Sequence, residues 1–184
     1  FVIMPAVCAF LLEENHVLDL TVDNTEKLLA MLSCGDLDFA IIEGVFDKEK
    51  YPHRLFMKEQ FVGICGKDHP FAGKTVSLEE AFHEKLIVRE KGSGTRMLLQ
   101  QAIFDRGYSL DSFRSCSSVS NFRVICELVA TNGAITFAYE PIAHCREDLS
   151  TFLVADMQIQ GEFNFVFTNA QVAQTKIAEF MPLE

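Results

Sequence analysis

Long apolar runs are missing from this sequence. No stretch approaches the roughly 20 residues that a membrane-crossing helix needs, which excludes a helical membrane protein. Also missing is any run of lysine and arginine. The 26 acidic residues face 16 basic ones for a net charge of −10, so this stretch of chain by itself is not expected to bind nucleic acid. The cysteines, at positions 8, 34, 65, 116, 126 and 145, contain no CxxC spacing. Several sit inside apolar runs, where a free thiol behaves as a small hydrophobe; Cys116 and Cys126 read as packing residues of this kind. Scattered free thiols fit a reducing cytoplasm. The histidines, at 16, 53, 69, 83 and 144, show neither HExxH nor a comparable ligand spacing, so no metal and no cofactor is assigned. A Gly-x-Ser-x-Gly elbow is absent too, since Gly92 and Gly94 flank Ser93 directly. No catalytic residue is named, and the chain does not read as an enzyme.

What is there is a well-patterned α/β chain. At 184 residues and 49% apolar content it is long enough for one large domain or two small lobes with a good core. The most informative segment is Leu86-Ile87-Val88-Arg89-Glu90-Lys91-Gly92-Ser93-Gly94-Thr95-Arg96, an apolar run that breaks into a turn of small residues and then an amphipathic stretch. It predicts strand, turn and a helix over 95–106 that buries Leu98, Leu99, Ala102 and Ile103 and stops at Gly107. The first turn of such a helix leaves N–H groups unpaired, and Gly92, Ser93 and Gly94 put no bulk in front of them. Two readings stand side by side: a small anion or carboxylate site, or a capped βα connection without ligand. The turn lacks the Lys-Ser/Thr pair of a phosphate-binding Walker loop, and Met97 stands where a dinucleotide fingerprint needs its third glycine.

The N-terminal third predicts a mostly apolar helix over 1–12 with Pro5 in its first turn, then a strand from the alternating Leu18, Leu20 and Val22. Asn24-Thr25 caps a helix that buries Leu28, Leu29 and Leu32 and ends at Gly35, before a strand over 37–42. The strands at 18–22 and 37–42 with the helix between them read as a parallel βαβ unit. Because the chain opens on a helix, the first strand and its following loop read as missing. Further on, 55–66 predicts a strand, Lys67-Asp68-His69-Pro70 a turn with His69 as a hinge residue, and Ser77-Leu78-Glu79-Glu80 a short helix with a capping box. A strand over 115–119 leads to a helix capped by Ser120-Asn121 that runs to Thr131 and stops at Gly133. Strands over 134–138, 151–155 and 163–167, a helical piece over 141–146 and an amphipathic helix over 172–181 complete the chain. Leu183-Glu184 reads as a cloning scar outside the fold.

Five stretches, in this order and spacing, carry a family resemblance: Asn24-Thr25 followed by Leu28-Leu29, Gly35-Asp36-Leu37-Asp38-Phe39-Ala40-Ile41-Ile42, His69-Pro70-Phe71-Ala72, Gly92-Ser93-Gly94-Thr95-Arg96 and Gly133-Ala134-Ile135. Across nearly its whole length the chain resembles the effector-binding domain of LysR-type transcriptional regulators. The resemblance implies two Rossmann-like lobes joined by two crossing strands, a periplasmic-binding-protein-like fold of type II. Lobe one would comprise 1–66 plus 161–184 and lobe two 67–160, with a small-molecule cleft between them. It also implies a ligand sensor that acts on DNA only through an N-terminal helix-turn-helix domain, which this stretch lacks. Expected partners are a small-molecule effector and a second copy of the chain, with helix one packed on the lobe-two helix of its mate; a tetramer stays open for the full-length protein, and no membrane is involved. The family's peroxide sensors carry a reactive cysteine pair in the stretch that here runs over 92–107, which has no cysteine.

Open parallel sheets bind ligands beyond the carboxyl ends of their strands, where helices begin. That rule picks the helix starts at Asn24-Thr25, at Ser93-Gly94-Thr95 and at Ser118-Val119-Ser120-Asn121. The expected ligand residues are Asn24, Thr25, Ser93, Gly94, Thr95, Ser120, Asn121 and Phe137, with Ser120, Asn121 and Phe137 carried over from the resemblance. Plain capping is the competing role for Asn24 and Thr25. Arg96 reads either as a counter-charge or as a structural partner, and Arg89, Arg123 and His144 as further lining candidates. Helix starts favour a carboxylate or an inorganic anion. A stand-alone solute-binding protein and an enzyme on the same fold are the alternatives.

Overall fold

In the computed structural model, which describes residues 3–155 and 157–181, helices begin and end where short polar residues and glycines stand. Helix α1 (Met4–Leu12) carries Pro5 in its first turn, where a missing N–H breaks no helical bond; positions 1 and 2 of the expected helix lie outside the described residues. Asn24 caps α2 (Thr25–Cys34) by accepting from the Lys27 amide at 3.0 Å, and Gly35 closes it in the left-handed conformation at φ 82°. Ser77 and Glu80 form the expected capping box on α3 (Leu78–Phe82). Helix α4 (Gly94–Phe104) buries Leu99, Ala102 and Ile103, while Leu98 is only partly covered. Helix α5 (Phe122–Asn132) is capped by Asn121 and ends at Gly133, and α6 (Ala170–Phe180) closes the chain, with Leu183-Glu184 outside the described residues.

Strand β1 (Ala40–Glu43) pairs antiparallel with β8 (Ile159–Val166), and β8 pairs in turn with the first half of β2 (His53–Gly66). From Phe61 onward β2 changes partners, taking β6 (Thr136–Tyr139) on one edge and β7 (Leu149–Val154) on the other. Burial follows the change: the first part of β2 mixes half-buried and exposed residues, and its last six residues are all buried. The same six-stranded sheet ends in β3 (Thr75–Val76), parallel to β7, and the parallel pair β4 (Lys85–Val88) and β5 (Ser115–Ser118) forms a two-stranded sheet that a bridge from Leu86 to Ile135 joins at the entry to β6. Two α/β lobes result, joined by β2 and by the return into β8. Lobe two is filled by aromatic rings in edge-to-face contact, Phe137 with Phe113 and Phe152, as ring quadrupoles favour. Lobe one packs Leu32 of α2 on Ile42 and Val166, and Ile177 of α6 on the opposite face near Phe165. No described helix is long and apolar enough to cross a membrane.

Four expectations are corrected. Residues 16–24 run without any strand assignment, and Val17, Leu20 and Val22 are exposed: alternation marks a face that a sheet would cover, and no described strand pairs with it. Among the described residues the parallel βαβ unit therefore does not form, and β1 pairs antiparallel with β8. His69 does not stand where the chain crosses from one lobe to the other, because β2 changes its neighbours near Phe61, well before it. His69 sits beyond the far end of β2, where Nδ1 accepts from the Phe71 amide at 3.1 Å and Nε2 lies 3.7 Å from Glu84. Cys116 is exposed and not a packing residue, because all four residues of β5 are exposed. Cys126 is buried as expected, and burial, helped by the neighbouring Cys145, pushes its thiol up to about 12.

Candidate functional site

A cleft of about 910 Å³ opens between the lobes. The carboxyl ends of β1, β4 and β6 and the starts of α2, α4 and α5 all contribute to its wall. Asn24, Thr25, Ser93, Gly94, Ser120 and Asn121 of the expected set line it. Thr95 sits just behind the wall, 2% exposed, and donates from Oγ1 to Glu43 Oε1 at 2.5 Å. Phe137 does not line the cleft. Its ring lies in the lobe-two core between Phe113 and Phe152, so the ligand role carried over from the resemblance gives way to a packing role.

The helix starts differ in what their amides already do. In α2 the Glu26 amide donates across the lobes to the Gly92 carbonyl at 3.3 Å and the Lys27 amide to Asn24 Oδ1. In α5 Asn121 Oδ1 takes the amides of Arg123 at 2.8 Å and Val124 at 3.3 Å. Helix α4 is the open one. Ser93, 1% exposed, makes no capping bond with its side chain, and the amides of Gly94, Thr95 and Arg96 have no partner among the described residues. Lobe one reaches this point closely: Thr25 Oγ1 lies 3.4 Å from the Glu43 carbonyl, and a Cβ on Gly94 would overlap that same oxygen and stand 2.9 Å from Thr25 Oγ1. Only glycine permits the approach.

Charged groups are arranged in pairs. Arg89 holds Glu90 through both its Nε (2.8 Å) and Nη2 (3.1 Å) and stacks on the Phe122 ring at 4.7 Å. Burial works against the Glu90 charge, but the hydrogen bonds and charge of Arg89 outweigh it and keep that carboxyl below the usual range. Glu43 has the opposite fate: burial lifts its carboxyl above the ordinary value, against the Thr95 hydrogen bond and the Arg89 charge. Tyr139, 1% exposed, lines the cleft with a hydroxyl that has no hydrogen-bond partner, and burial with the nearby Glu43 and Glu162 charges holds it un-ionised far above neutral pH. Arg123 lines the cleft as well. Arg96 does not; it ties α4 to the Arg89 carbonyl at 3.1 Å and to Ser118 at 3.4 Å, the structural role. His144 is exposed and away from the cleft wall. Glu43 and Tyr139 were missed from the sequence, although each ends a strand, β1 and β6, at the carboxyl side where the sheet rule places ligands.

The family profile described as LysR substrate binding domain matches residues 3–182. This chain belongs to that family. Among curated relatives, the HTH-type transcriptional regulator MJ0300 of Methanocaldococcus jannaschii is 28% identical over 136 residues, 73% of this chain and 46% of that protein. CysL of Bacillus subtilis, also an HTH-type transcriptional regulator, is 30% identical over 102 residues, 55% of this chain and 34% of that protein. The chain thus spans less than half the length of these relatives. Among solved structures, the CcmR regulatory domain of Synechocystis PCC6803 in complex with 2-PG superposes with a TM-score of 0.82 at 21% identity, covering 98% of this chain and 89% of that one. The effector-binding domain of QuiR in complex with shikimate gives 0.77 at 14% identity, covering 96% and 87%. The LysR domain therefore has here the type II periplasmic-binding-protein-like fold, and its curated relatives are transcriptional regulators.

Proposed function

We propose that this LysR domain senses a small oxyanion or carboxylate in the interlobe cleft and passes its presence to an N-terminal helix-turn-helix domain of the same regulator, which alone contacts DNA. The observation that carries the reading is the open start of α4, with Ser93 and unpartnered amides, facing Thr25 and Glu43 of lobe one across a contact only glycine allows. Ligand bound there touches both lobes, so its affinity depends on how they close. Lobe one is taken as 1–66 with 161–184 and lobe two as 67–160. The 2-PG in complex with the CcmR regulatory domain and the shikimate in complex with the QuiR domain support a small acidic ligand. Relatives that are regulators favour a non-catalytic cytoplasmic sensor over a free-standing solute binder. Calorimetry against inorganic phosphate, inorganic sulfate, 2-PG and shikimate tests it. Ser93→Ala and Thr25→Ala are expected to cost about 1–3 kcal/mol of affinity each for the compound that binds, with stability changed by no more than about a cap's worth. Unchanged affinity in both variants, or no binding by any of the four, moves the site or the ligand class.

The same reading includes a homodimer. Helix α1 exposes Met4, Leu11 and Leu12, and α4 exposes Met97 and Phe104, the latter 72% open beside a shallow depression of about 330 Å³. Apolar side chains grouped this way mark an interface. Light scattering is expected to show a dimer at tens of micromolar and a monomer for Phe104→Glu with unchanged circular dichroism; a monomeric parent chain refutes the pairing.

A further inference from the structure

We infer that the Tyr139 hydroxyl is a ligand contact, and that the effector is an anion carrying a second oxygen-bearing group, its charged end at the start of α4 and its second group on Tyr139. This rests on the cleft reading above and names the ligand class more narrowly. Tyr139 ends β6 on the cleft wall, at the place where the chain crosses between the lobes: Phe61 of β2 pairs with Tyr139 on one edge and with Ile159 of β8 on the other. The tyrosine ring is held from several sides. Phe61 meets it edge-on at 5.6 Å, and Phe163 of β8 packs on it at 4.7 Å. Gly161 of β8 leaves the space that the ring fills, since a Cβ there would stand 2.2 Å from Tyr139 Cε1 and 2.3 Å from the hydroxyl oxygen.

A ring fixed in this way cannot swing its hydroxyl toward another partner. Tyr139 is 1% exposed, and its hydroxyl oxygen is buried without a hydrogen bond to any described residue. The neighbouring carboxylates are engaged elsewhere, Glu43 with Thr95 at 2.5 Å and Glu162 with Lys48 at 2.5 Å and Lys58 at 3.5 Å. Burying a hydroxyl without a bond is unfavourable, and on a cleft wall the bond can come from what binds there. The hydroxyl donates as well as accepts, so a carboxylate, another oxyanion or an alcohol satisfies it, whereas a methyl group leaves it unpaired. Two side chains separate this point from the start of α4 along the wall: Glu43, bonded to Thr95, and Phe163, paired with Glu43 in register and packed on the Tyr139 ring. A ligand that reaches both points therefore has two polar ends.

Succinate and butyrate are the probes. They share a carbon chain and one carboxylate, and differ in whether the far end is a second carboxylate or a methyl. Calorimetry on the whole chain at neutral pH is expected to show succinate bound at least about tenfold more tightly than butyrate. Tyr139→Phe is expected to lose about tenfold or more in succinate affinity, to keep butyrate affinity within about twofold, and to melt without ligand at or above the temperature of the parent chain, because the change removes a buried hydroxyl that has no bond to lose. Ser93→Ala is expected to weaken both probes. Succinate bound no more tightly than butyrate by the parent chain, equal losses for both probes or none in Tyr139→Phe, or a ligand-free melting temperature lowered by several degrees in that variant, overturns the role of Tyr139 and leaves the cleft reading standing wherever Ser93→Ala still weakens binding. No Ser93-dependent binding of either probe overturns both.

Discussion

Gly94→Ala is expected to lower the affinity for whichever anion binds by about 1–3 kcal/mol, the range of an overpacked contact, while leaving the fold of each lobe intact. Helix propensity alone points the other way. Gly94 is the first residue of α4, where alanine would ordinarily stabilise the helix by up to about 1 kcal/mol. The overlap decides the sign: the new methyl would meet the Glu43 carbonyl oxygen, with Thr25 Oγ1 also within 2.9 Å, and both belong to the other lobe. Backbone at the end of β1 cannot yield as a flexible side chain would, so the strain is relieved by parting the lobes. Parting them breaks the Thr95 to Glu43 bond and the Glu26 to Gly92 bond, which are interlobe contacts and not parts of either core. The expected signature is weaker ligand binding and a larger radius of gyration with a melting temperature close to that of the parent chain. A melting temperature lowered by many degrees with affinity unchanged would instead make Gly94 a residue of the lobe-two fold.

The closeness of that contact explains which parts of the molecule were readable beforehand. Helix boundaries were, because Asn24, Ser77, Asn121, Gly35 and Gly133 act on amides and carbonyls within four residues of themselves, and such bonds form whatever the rest of the chain does. Strand pairing was not. The alternation of Leu18, Leu20 and Val22 specifies a face and names no neighbour, and the direction of β1 is set by β8, more than a hundred residues away. The same division runs through the site. Ser93 and Gly94 were legible as a helix start with nothing bulky in front of it. Glu43 and Tyr139 were hidden, since each becomes polar wall only when a strand from one lobe ends against the other. Phe137 failed in the reverse direction: it shares a face of β6 with Tyr139 but stands two residues back from the carboxyl end, inside the lobe-two core and short of the cleft.

Phe152→Ala is expected to be the most damaging single change, costing about 3–5 kcal/mol of stability, because it empties the centre of the lobe-two core. Phe152 is 1% exposed and touches Phe137 edge-on and Phe71 at 5.3 Å. Its ring also lies directly over Gly63, its partner in the β2 and β7 register, where any Cβ would run into the ring. The two positions are therefore one packing unit, a large ring accommodated by the absence of a side chain across the sheet. Gly63→Ala alone is expected to cost about 1–3 kcal/mol by overpacking. In the double variant the methyl on residue 63 enters space that the missing ring has vacated, so the combined loss should fall short of the sum of the two single losses. Urea unfolding followed by both fluorescence and circular dichroism measures the cycle, provided the two probes give coincident transitions with an unchanged slope. Strict additivity would mean that the core collapses around residue 152 without using the space over Gly63, and the pairing of ring with glycine would then be a consequence of the fold and not a determinant of it.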